Sequence, residues 1–76
     1  MSAQDLANTL HRMYETAVDG QKVTMIHLFG IKYSDEIAAC GASPSEIVRM
    51  ASLPQSYGTE VNKGRNLARF VTVKRG

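Results

Sequence analysis

A chain of 76 residues has room for one domain with one modest core, and its 43% hydrophobic content is ordinary for a globular protein. No apolar run reaches the length of a membrane span and no basic-then-apolar leader is seen, while the single cysteine, Cys40, excludes an internal disulfide and fits a reducing cytoplasm. The net charge of +2 hides an asymmetry: residues 1–60 hold all seven acids and four basic residues, whereas residues 61–76 hold Lys63, Arg65, Arg69, Lys74 and Arg75 and no acid.

Ser2 is placed to cap a first helix, with Asp5 in its first turn. Leu6, Leu10, Met13 and Ala17 then recur at helical spacing, with Gln4, Asn8, Arg12 and Glu15 opposite. This predicts an amphipathic helix to about Val18, stopped by Asp19-Gly20. Between Gln21 and Gly41, Val23, Ile26, Gly30, Tyr33, Ile37 and Cys40 form a second helical stripe. A break near Gly30 would let Tyr33-Ser34-Asp35-Glu36 open a separate piece, and the β-branched run Lys22–Ile26 reads alternatively as a short strand.

Ser43-Pro44-Ser45-Glu46 combines a capping hydroxyl, a proline at the first helical position and a carboxylate at the third, which is a capping box. A short helix is expected from Pro44 to about Ala51, broken by Ser52-Leu53-Pro54. A second follows from Gln55 to Lys63, ended by Gly64 in a left-handed conformation. Two short helices joined by a tight turn make the skeleton of a helix-turn-helix. Beyond it, Leu67 and Phe70 are expected to anchor on the core, and Phe70–Lys74 alternates as a strand does. That strand needs a partner, either Lys22–Ile26 or its counterpart in a second subunit.

The run EIVRMASLPQSYGTEVNKGR resembles the helix-turn-helix of Cro-like (XRE-type) phage repressors and their small bacterial relatives. Ile47 and Val48 stand where that family buries an apolar pair, Leu53 stands in the turn, and Val61 through Arg65 match the end of its second helix. Ser52 replaces the usual turn glycine, Val48 a usual alanine, and Gly58 a usual Ile or Val. The last two suggest that large and small partners have exchanged sides, with Val48 touching Gly58. The resemblance implies a mainly α single domain over 1–76, a bundle of four to five helices. Its helix-turn-helix lies at 44–64, followed by a short C-terminal β-strand within a basic segment, 65–76.

Catalytic chemistry has little support. Cys40 lies on an apolar stripe, neither His11 nor His27 is tied to it, and Asp35 and Glu36 are adjacent and so face different ways. No metal-ligand spacing and no phosphate-cradling glycine loop occurs, so no enzyme activity, metal, cofactor or small-molecule ligand is expected. A helix from Gln55 to Lys63 would bury Gly58 and Val61 and present Gln55, Ser56, Thr59, Glu60 and Lys63. By the resemblance, Gln55 and Ser56 lead the candidate base contacts, with Thr59 and Glu60 beside them. Glu60 would either accept from a cytosine amino group or pair with Lys63 or Arg65. Lys63, Arg65, Asn66, Arg69, Lys74 and Arg75 are the phosphate candidates. The expected function is sequence-specific binding of double-stranded DNA by a cytoplasmic homodimer that regulates transcription. The alternative is a protein-interaction module of antitoxin or anti-repressor kind on the same scaffold.

Overall fold

A computed structural model describes residues 1–74. Among them five helices follow in order: α1 (Ala3–Glu15), α2 (Lys22–Lys32), α3 (Ser34–Ala39), α4 (Pro44–Met50) and α5 (Tyr57–Leu67). The architecture is the expected mainly helical bundle. Leu6, Ala7 and Leu10 of α1, Ile26 and Phe29 of α2, Ile37 of α3, Ile47 and Val48 of α4 and Val61 of α5 are buried together as one core. Burying each large side chain of this set contributes roughly 1.5–3 kcal/mol as an upper bound.

The starts of α1 and α4 follow the sequence closely. Ser2 accepts from the Asp5 amide at 3.0 Å while the Asp5 carboxylate accepts from the Ser2 amide at 3.1 Å. Ser43 and Glu46 repeat the pattern at 3.2 and 3.0 Å, with Pro44 opening α4. Both carboxyls are held below the ordinary carboxylate range, chiefly by the bond from the cap's backbone amide. α1 ends at Glu15, short of Val18, where Thr16 Oγ1 turns back to the Arg12 carbonyl at 2.7 Å. Gly20 and Gly41 take positive φ in the turns after α1 and α3.

The segment Lys22–Ile26 is helical, and the stripe from Val23 to Cys40 breaks at Tyr33 rather than at Gly30. Gly30 stays inside α2 because α5 crosses there. A Cβ on Gly30 would collide with the Val61 carbonyl oxygen and lie 3.0 Å from the Gly64 Cα. A Cβ on Gly64 would collide in turn with the His27 carbonyl. This crossing corrects the role expected of Gly64. It is buried within α5 as the small partner of Gly30, and the helix continues to Leu67.

Extension of α5 also overturns the anchoring expected of Leu67 and Phe70. Leu67 is 45% exposed and Phe70, in the turn that follows, is 82% exposed, so neither enters the core. Residues 70–74, the expected strand, form no ladder among the described residues, and Lys22–Ile26, one of its expected partners, is helical.

Candidate nucleic-acid interface

α4 ends in a Schellman motif, and that motif forms the turn between the two helices. The Leu53 amide donates to the Val48 carbonyl at 3.1 Å and the Ser52 amide to the Arg49 carbonyl at 3.0 Å. Ser52 sits at the left-handed position with φ +62°, so the position that suits glycine keeps its conformation without it. Leu53 folds back onto the core, and Pro54 prevents α4 from resuming. The Tyr57 and Gly58 amides then bond the Pro54 and Gln55 carbonyls at 3.0 and 2.9 Å. Gln55 and Ser56 therefore lie in a tight turn that leads into α5, not in regular helix.

The start of α5 is pressed against α4 at Gly58. A Cβ there would lie 2.7 Å from Ser45 Oγ and 3.1 Å from Ser45 Cα. The exchange of volume expected from the sequence sets Val48 opposite Gly58. Val48 is fully buried in the core, and the neighbours nearest the missing side chain of Gly58 belong to Ser45. Gly58 thus packs closest on the first turn of α4, one turn ahead of Val48.

With Gly58, Val61 and Gly64 facing inward, Gln55, Ser56, Thr59, Lys63 and Asn66 are left exposed. Thr59, Lys63 and Asn66 follow at spacings of four and three, so they share one outer line of α5. Arg69 and Lys74 are exposed beyond the helix end, and Arg75 lies outside the described residues. Arg65 differs from these, being half-buried on the side that faces α2. Its backbone nitrogen lies 3.1 Å from the position of a Gly30 Cβ. Its Nε is buried without a hydrogen-bond partner among the described residues.

Glu60 is not free on this face. His27 Nε2 donates to its Oε1 at 2.7 Å, and Lys63 Nζ approaches Oε2 at 3.1 Å, leaving the Glu60 side chain 20% exposed. The His27 bond first, and the Lys63 bond second, hold its carboxyl below the ordinary range. Pairing with Lys63 was one of the two roles open to Glu60 from sequence. The bond to His27, 33 residues away, had no sequence signal.

A second group that the sequence did not reveal ties α5 to α1. The Tyr14 and Tyr57 hydroxyls are 3.4 Å apart with tilted rings, and this bond pushes the Tyr57 hydroxyl's pKa up. Lys22 Nζ donates to the Tyr14 carbonyl at 2.9 Å and lies 4.7 Å from the centre of the Tyr14 ring. Near the α4–α5 turn, His11 Nδ1 is 2.9 Å from the Ala51 carbonyl oxygen. Both contacts link the turn and the start of α5 to the body of the bundle.

Two short helices, a turn closed by its own backbone and a polar outer line on the second helix define a helix-turn-helix domain. The family model described as an HTH-like domain matches residues 2–74, and the chain belongs to that family. No curated protein and no solved structure gives a significant match. Among the described residues no helix is long and apolar enough to cross a membrane.

Proposed function

We propose that the protein binds duplex DNA sequence-specifically and regulates transcription in the cytoplasm, with α5 entering the major groove in the manner of Cro-like repressors. The observation that carries this reading is the outer line of α5. It presents Thr59, Lys63 and Asn66, with Gln55 and Ser56 leading in, and its one carboxylate is already paired. Gln55, Ser56 and Thr59 have the donor and acceptor groups that base edges require. Lys63, Asn66, Arg69 and Lys74 follow along the chain toward phosphate, with Arg65 reaching from the α2 side and Arg75 continuing the basic run. Glu60 is left out of the base readers we propose, because its carboxylate is held by His27 and Lys63 and is only 20% exposed.

The partner state proposed is a homodimer on a two-fold site. The α1 stripe is a poor seam for it, since Leu6, Ala7 and Leu10 are spent on the protein's own core. The C-terminal end of α5 and the segment after it supply the apolar surface instead. The same exposed Leu67, Phe70 and Val71 favour the second reading, a module that docks another protein through this end. Titration against random-sequence duplex at two salt concentrations separates the two. Affinity that falls steeply with salt supports the DNA reading, and absence of binding at low salt supports the docking module. Sedimentation over a range of protein concentrations tests the dimer, and a concentration-independent monomer mass refutes it.

A further inference from the structure

His27 stands on α2, outside the helix-turn-helix, yet its ring reaches the DNA-facing helix. Its Nε2 at 2.7 Å from Glu60 Oε1 is within the range of a charge-assisted bond, and Lys63 closes the other carboxylate oxygen at 3.1 Å. An unpaired carboxylate on a surface that approaches phosphates repels them, so the state of this group matters to any DNA complex. Neutral His27 bonds the Glu60–Lys63 pair without changing its charge, whereas protonated His27 adds a positive charge to it. Histidine is the side chain whose ordinary titration spans this change near neutral pH.

The groups around His27 are few. From α5 they are Glu60 and Lys63, with Arg65 lying further along against Gly30. From α1, Tyr14 is engaged by Lys22 at the start of α2. Asp35 and Glu36 of α3 line an open groove with Lys32 and Lys74, beyond the far end of α2. Among these, Glu60 is the group in direct contact with the ring.

We propose that His27 is a positioning residue that holds Glu60 against α2 and makes DNA binding proton-linked, tighter when the ring is charged. The inference rests on the DNA-binding reading. The bond holds Glu60 back from the groove at every pH, and proton uptake adds a positive charge beside the Glu60–Lys63 pair, which favours phosphate. His27 touches no DNA in this arrangement and acts only through Glu60.

The test combines binding and spectroscopy on the full chain. Duplex affinity is measured by fluorescence anisotropy from about pH 8 to about pH 5.5 for wild type, His27→Gln and Glu60→Gln. Wild type should gain about three- to tenfold over that range. His27→Gln keeps a donor but cannot titrate, so it should lose most of the gain, and His11, retained in it, reports any background. Glu60→Gln, lacking the carboxylate, should bind at high pH about as tightly as wild type does at low pH. In parallel, the His27 Nε2–H resonance is followed by NMR without DNA; it should be protected from exchange in wild type and lose that protection in Glu60→Ala, which removes the acceptor. An unprotected resonance in wild type overturns the clamp itself. A protected resonance with pH-independent binding, or with His27→Gln retaining the full gain, overturns the linkage. No binding to any duplex at any pH removes the DNA reading and this regulatory role together, while a protected resonance would then leave a structural tie only.

Discussion

Replacing Gly30 by alanine tests the crossing that fixes α5 on the bundle. The new Cβ would collide with the Val61 carbonyl oxygen and lie 3.0 Å from the Gly64 Cα and 3.1 Å from the Arg65 amide nitrogen. Carbon atoms settle at about 3.5–4.0 Å, so the helices must part by roughly 0.5–1 Å. All three obstacles are backbone atoms of a helix, and no rotamer change relieves them. Overpacking costs about 1–3 kcal/mol, and this site belongs at or above the upper end. Alanine returns about 1 kcal/mol of helix propensity. The net loss should be about 2 kcal/mol, lowering Tm by about 8–16 °C in a domain of this size. Circular dichroism melts and urea unfolding at fixed protein concentration would measure it. Gly41→Ala is the control: it forces a side chain onto φ +84° but into open space, and should cost only about 1 kcal/mol. A Gly30→Ala protein as stable as wild type would show that the helices do not cross at backbone distance.

Other outcomes follow from the turn, the outer line of α5 and the caps. Ser52→Gly should raise stability by about 0.5–1 kcal/mol in the same melts, because a left-handed φ of +62° strains serine and not glycine. Gln55→Ala should weaken binding to a selected duplex by about 1–3 kcal/mol and leave random DNA nearly unaffected, whereas Arg65→Ala should weaken both and reduce the salt slope by about one unit. Equal losses on both duplexes for Gln55→Ala would refute its role as a base reader. The carboxyls of Asp5 and Glu46 titrate lower when folded, so their stabilisation is present above the ordinary carboxylate range and is lost as pH falls through the lowered values. Melts between about pH 6 and about pH 3 should therefore fall with acid, less steeply in Glu46→Gln.

Local chemistry was legible in the sequence. The Ser43–Glu46 capping box, the Ser2 cap, the break at Pro54, the turns at Gly20 and Gly41 and the buried pair Ile47 and Val48 depend on residues within a few positions of one another. A single chain shows such relations directly. The outer residues of α5 were legible for the same reason, since a helix with Gly58 and Val61 inside leaves Thr59 and Lys63 outside.

Relations across the chain were decided only by tertiary packing. Glycine has one signature in sequence and two uses in structure. Gly41 takes a left-handed turn, whereas Gly64 is helical because the Gly30 backbone lies against it, and nothing local distinguishes them. Once α5 runs on past Gly64, Leu67 and Phe70 are carried off the core, which no alternation of residues after the helix could foretell. Glu60 had Lys63 within reach by helical spacing, but His27 reaches it only because α2 crosses α5. Hydrophobic period and capping are properties of a segment. Which backbones come close enough to exclude a Cβ, and which distant side chains then share a carboxylate, are properties of the assembled bundle.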